Sequence, residues 1–213
     1  MTSHLALLAE DVNGLANAAR ISGAPEDVAE KARMLTRQAI AMLEEHAWPG
    51  PYAVEQLAPP GDGMLLWEPD DLRRTVPYSP FLGDLNPTAG RARIWVDGDA
   101  VRGTVTMSPI HAGPIQTVHG GVVSALLDEL TGLAIMATGR VGYTQTLTVT
   151  YRRPTPIGTE LQLWAQTAGQ TGDVFLTSAE VRYDGKVTAS AIVVHKAAGR
   201  RDEPVYPGTE RSL

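Results

Sequence analysis

Residues 118–139, VHGGVVSALLDELTGLAIMATG, decide how this chain is read. The segment opens on His119, Gly120 and Gly121, then runs for about five helical turns with Asp128 and Glu129 as its only charged residues. Apolar side chains fall on every side of it: Val122, Val123, Leu126, Leu127, Leu130, Leu133, Ile135 and Met136. That is the pattern of a helix buried all round, not of a surface helix with one apolar stripe. A central helix is therefore predicted. At helical spacing Asp128 shares its side with Ser124, Ala125, Thr131 and Gly132, small residues that let other backbone or a ligand come close.

On both sides of this helix the apolar period is two. Residues 91–97 and 100–107 flank a short turn at Gly98, and the helix is followed by runs at 143–152, 160–168, 173–183 and 187–195. Asp184-Gly185 is a strong hairpin signal, and residues 169–172 close the preceding pair. Two strands, a long helix and four more strands joined by tight turns predict an α+β fold. In it an antiparallel sheet of about six strands wraps around one helix.

Upstream, residues 3–19 and 25–46 read as helices. In the second, Pro25 suits the first helical position, Glu26 and Asp27 favour the positive end of the dipole, and Val28, Leu35, Ala39 and Met42 recur at helical spacing. Trp48-Pro49-Gly50-Pro51 ends it. The pair is either an amphipathic hairpin packed on the core or on a partner subunit, or a simple extension. Residues 49–90 hold eight of the fifteen prolines but also Leu65, Leu66, Trp67, Tyr78 and Phe81. Those apolar side chains need cover, so this is an ordered strap, not a free linker. The expected division is a helical extension at 1–48, the strap at 49–90, the sheet-and-helix domain at 91–197 and a tail at 198–213.

Composition narrows the function. A chain of 213 residues, 43% hydrophobic, buries one good core. Its net charge of -6 argues against nucleic acid or an anionic membrane as the main partner. Without cysteine there is no disulfide, thiolate nucleophile or cysteine metal cluster. The short apolar run at 5–9 is broken by Glu10 and Asp11, so the N-terminus supports neither a signal peptide nor a membrane span. A soluble cytoplasmic protein is the expectation.

The motif His119-Gly-Gly-Val-Val-Ser-Ala-Leu-Leu-Asp128-Glu resembles the hotdog-fold thioesterase superfamily, in particular its phenylacetate-pathway-type and acyl-CoA thioesterase branch. It is preceded by Gly113-Pro114 and followed by a strand at 146–153 and Pro154-Thr155-Pro156-Ile157-Gly158. The resemblance covers residues 78–197 or so. It implies a hotdog fold, hydrolysis of an acyl-CoA thioester to free acid and coenzyme A, no metal and no cofactor.

Thioester hydrolysis passes through a tetrahedral oxyanion. A helix that begins with glycines can aim its free N–H groups, at the positive end of the dipole, at a ligand oxygen. Gly120 is the leading oxyanion donor, with Gly121 beside it at the substrate; the alternative is a strand-to-helix entry that needs glycine for backbone reasons alone. Asp128, nine residues after the histidine, supplies the carboxylate, either attacking the thioester carbon or deprotonating a water. The resemblance implies that Thr144 holds the attacking water. However, Thr144, Thr146, Thr148 and Thr150 all fall on one strand face opposite Leu147 and Val149, where they also read as a β-branched ladder. His119 is expected to position the helix entry, and His111 and His195 to be structural. Relatives carry a polar residue where this chain has Gly113, so a substrate contact there is lost or passes to Gln116. Arg152 and Arg153 suit the phosphates of coenzyme A; a solvated strand end accounts for them equally well.

Eight residues of helix separate Gly120 from Asp128, about 12 Å along the axis, whereas one thioester needs both groups within about 3 Å. If both act on one substrate, the carboxylate comes from a second copy. A homodimer with two shared sites is predicted, with a dimer of dimers as an extension of it. The competing reading is a non-catalytic acyl-CoA-binding or regulatory hotdog protein, against which stands the presence of both Gly120 and Asp128.

Overall fold

The structure, a computed structural model, describes residues 4–47 and 66–202. Residues 49–65 of the expected strap, Trp48 and the end of the tail lie outside the described residues. The described residues form three α-helices: α1 (His4–Ile21), α2 (Glu26–Glu44) and α3 (Gly120–Ala137). The strands are β1 (Arg91–Asp97), β2 (Ala100–Thr106), β3 (Arg140–Tyr151), β4 (Glu160–Thr171), β5 (Val174–Tyr183) and β6 (Lys186–Arg200). They form one sheet in the order β1-β2-β4-β5-β6-β3, every neighbouring pair antiparallel.

The α+β reading holds: α3 lies in the curve of the sheet and touches β2 through β6. Leu126, Leu127, Leu130 and Leu133 of α3 are buried against Ile94, Val101, Val105, Leu161, Val181 and Val193 from the strands. Each large aliphatic side chain so buried stabilises the fold by about 1.5–3 kcal/mol. Among the described residues α3 alone has the length and apolar composition of a membrane-crossing helix, a composition the core position accounts for. The Asp184-Gly185 turn takes φ of 50° and 68°, the left-handed pair that a two-residue hairpin requires. β6 continues to Arg200, past the expected end at 195, because β3 starts at Arg140 directly after the helix and pairs with it there.

The described part of the strap closes one sheet edge. Val96 N–H donates to Pro69 O and Leu72 N–H to Ile94 O, both 2.8 Å, so the strap occupies the free side of β1. Leu72 and Leu82 are fully buried, with Trp67 and Phe81 packed against the core. The opposite edge, β3, has no strand beside it among the described residues.

The two N-terminal helices differ. α1 buries Ala6 and Ala9 and is tied down by Asn13 Nδ2, which donates to Pro87 O at 2.7 Å and Ala89 O at 3.2 Å. α2 buries no residue, and Val28, Leu35 and Met42 are all exposed.

Candidate active site

An α-helix leaves its first N–H groups without helical partners. At the start of α3, His119 is the N-cap and its Nδ1 accepts from Gly121 N–H at 3.0 Å. Val122 N–H and Val123 N–H both donate to His119 O. Gly120 N–H has no acceptor among the described residues. Of the two glycines expected at the substrate, Gly120 therefore keeps its donor and Gly121 spends its own on the cap. Neither has positive φ, and a Cβ on Gly120 would come no closer than 3.6 Å to anything, the Tyr151 ring. Backbone need does not explain that glycine. Gly113 is the crowded position, where a Cβ would lie 2.7 Å from His119 Cα. A larger polar residue has no room there. Gln116 sits exposed in a turn at φ 56°, outside the wall of the cavity beside Gly120.

Gly120 opens on a cavity of about 380 Å³ lined also by Val123, Tyr151, Arg152, Arg153 and Thr155. The two arginines lie at the end of β3, where both backbone N–H groups donate to Thr188 O. Tyr151, which the sequence reading passed over, donates its hydroxyl to Gly120 O at 2.9 Å. Its ring lies against Gly120.

Asp128 lies elsewhere, outside this cavity wall. Thr144 Oγ1 donates to Asp128 Oδ1 at 2.9 Å. The expectation that Thr144 shares a face with Thr146, Thr148 and Thr150 is overturned here. The register of β3 on β6 slips between Thr144, opposite His195, and Thr146, opposite Val194. Gln145 is thus the extra residue of a bulge, which reverses the alternation. Thr144 turns toward Asp128 of α3, whereas Thr146, Thr148 and Thr150 lie on the outer face; all four are exposed. Behind Thr144 stands the buried His195, with Nδ1 3.3 Å from Thr144 Oγ1. Its Nε2 is 3.0 Å from Thr177 Oγ1, which donates to Val193 O and so accepts from Nε2–H. His111 has a structural part: Ser108 N–H donates to its Nδ1, and Nε2 donates to Thr88 O of the strap at 2.7 Å.

Residues 115–190 match the family model of the thioesterase superfamily. A thioesterase superfamily protein of known crystal structure is 28% identical, with 91% of this chain and 95% of that one covered at a TM-score of 0.73. The sheet and its helix have the hotdog fold and are similar to the thioesterase superfamily. Zebra fish thioesterase superfamily member 2 aligns with 60% of the chain and 94% of its own length, at 22% identity and a TM-score of 0.52. A phenylacetic acid degradation-related protein from Ralstonia eutropha JMP134 aligns with 50% of the chain and 83% of its own length, at 26% identity and 0.45.

Electrostatics divide the two acids at the centre of the hotdog helix. Glu129 turns toward the strap and receives a hydrogen bond from Ser79 Oγ. Burial, with the nearby Asp128 adding to it, raises its carboxyl from the usual 4.5 to about 8. Burial also lowers the pKa of His195, against an opposing pull from Asp128, so the imidazole behind Thr144 is biased toward its neutral form. Among the described residues no group of His, Asp or Glu is placed to hold a metal.

Proposed function

We propose that this protein is an acyl-CoA thioesterase, active as a homodimer in which the Gly120 amide of one protomer and Asp128 of the other act on the same thioester. The observation that carries the reading is the unclaimed Gly120 N–H at the positive end of α3, open to a cavity lined by Arg152 and Arg153. An amide so placed suits a developing oxyanion, and the guanidinium groups suit the phosphates of coenzyme A.

In this reading the thioester carbonyl accepts from Gly120 N–H. The partner's Asp128, held through Oδ1 by Thr144, acts through its other oxygen, on a water or on the thioester carbon itself. With water as the nucleophile, its oxygen bonds to the acyl carbon, the carbon–sulfur bond breaks, and the proton taken by the carboxylate passes to the departing thiolate. Three features support the second copy. Gly120 and Asp128 are eight residues apart on one helix, about 12 Å. The outer edge of β3 is free among the described residues. A Cβ on Gly132, on the Asp128 side of α3, would meet nothing within 4 Å.

The test is thiol release from a panel of acyl-CoA chain lengths by the wild type and by Asp128→Asn. We expect release by the wild type and a loss of roughly 10²- to 10⁴-fold in the variant. Equal rates would remove the mechanism, and acyl-CoA binding without release by the wild type would favour a non-catalytic binding protein.

A further inference from the structure

The fold holds the peptide next to the Gly120 amide with a side chain that no sequence motif marks. We infer that Tyr151 is a positioning residue for the oxyanion donor, an inference that rests on the proposed thioesterase reading. Tyr151 ends β3 as a residue 54% exposed, so the core does not require it. Its hydroxyl nevertheless turns back to donate to Gly120 O at 2.9 Å and accepts from Ser124 Oγ, which itself lies 3.1 Å from the same carbonyl. Two side-chain hydroxyls therefore converge on one main-chain oxygen of the first helical turn.

Paired glycines are the most conformationally free dipeptide a helix entry can have. A donor of this kind is effective only if it needs no reorganisation when charge develops. At Gly120 the freedom is removed from both sides. The peptide carrying its N–H is held through His119 O by Val122 N–H and Val123 N–H. The next peptide is held at its N–H by His119 Nδ1 and at its oxygen by Tyr151, whose hydroxyl Ser124 holds in turn. The Tyr151 ring also occupies the space beside Gly120 on the cavity side. β3 thus serves both halves of the chemistry: Thr144 near one end orients Asp128, and Tyr151 at the other orients Gly120. In a shared-site dimer these halves belong to different sites.

The experiment compares the wild type, Tyr151→Phe, Ser124→Ala, the double variant and Asp128→Asn. Steady-state thiol release is measured together with amide hydrogen exchange over residues 119–124. Tyr151→Phe keeps the ring and removes the hydroxyl. We expect kcat to fall roughly 10-fold, the order expected when one hydrogen bond that orients a reacting group is lost, while KM stays within about twofold. Exchange should rise at the helix entry and stay unchanged in β4 and β5. Because both hydroxyls act through one oxygen, the double variant should lose less than the product of the single losses. Wild-type kcat and unchanged exchange in Tyr151→Phe would overturn the inference, as would a change in KM alone, which would leave Tyr151 a cavity wall. A wild type that releases no thiol from any acyl-CoA would sink the thioesterase reading, and the claim about turnover with it. Unchanged exchange beside a normally active wild type would sink the tyrosine clamp by itself.

Discussion

The shared site can be tested by removing one hydrogen. Gly120 is the first residue of α3, the position where proline is best tolerated, because its missing N–H has no helical partner. His119 has φ -59° and ψ 135°, the extended conformation that a residue before proline requires. The Gly120 amide makes no hydrogen bond among the described residues, and a Cβ there meets only ordinary contacts at 3.6 Å. Gly120→Pro should therefore fold as the wild type does while losing the proposed oxyanion donor, a cost of roughly 10²- to 10³-fold in kcat. Asp128→Asn disables the other half. When the two inactive variants are unfolded together at equal concentration and refolded, half of the dimers should be mixed. Each mixed dimer joins the intact glycine of one chain to the intact aspartate of the other at one of its two sites. Activity should return to about a quarter of the wild-type value, by the statistics of a two-fold assembly. Thiol release after refolding the mixture, against each variant refolded alone, gives the answer. A mixture no more active than its components would refute the sharing of sites, and an undiminished Gly120→Pro would refute the donor.

Glu129→Gln tests the buried acid through stability. The native carboxyl holds its proton to about pH 8 and the unfolded one only to 4.5, so the native state binds more protons between these values. Its contribution is fully present below 4.5 and is lost as the pH rises to about 8. At 1.36 kcal/mol per pH unit this amounts to about 5 kcal/mol at most; denaturation from pH 5 to 9 should show that slope in the wild type and not in Glu129→Gln, and parallel profiles would count against it. Thr144→Val should lower kcat by about 10² through loss of orientation at Asp128, whereas Thr148→Val, on the outer face, should leave it unchanged. Equal effects would restore the ladder reading. Gly113→Ala puts a Cβ 2.7 Å from His119 Cα and should destabilise the fold by roughly 1–3 kcal/mol, read as a lower denaturation midpoint.

The architecture was legible because its signals are local. Apolar residues all round 120–137 mark the helix, and Asp184-Gly185 marks a hairpin whose φ angles the structure reproduces. The bulge was not legible. Four threonines at every second position give the same pattern whichever face each occupies, and Gln145, the added residue, is not of a type that announces a slip. The register comes from the partner, where buried His195 sits opposite Thr144 and the outer face resumes at Val194 opposite Thr146. Tyr151 was missed for a related reason. Its contact with Gly120 spans 31 residues, and no periodicity encodes a meeting at that range.

Asp128 and Glu129 are neighbours in sequence but point about 100° apart around the helix, and that angle sends them to different chemistry. Asp128 turns to β3, where the bulge delivers a hydroxyl to one oxygen. Glu129 turns to the strap, where burial keeps it protonated to about pH 8. Two ionised carboxylates side by side would each disfavour the other's charge. Ser79 gives Glu129 the hydrogen-bond partner without which the buried acid would destabilise the fold. The strap therefore does more than close the sheet edge beside β1. By covering Glu129 it sets which of the two adjacent acids keeps its proton to about pH 8.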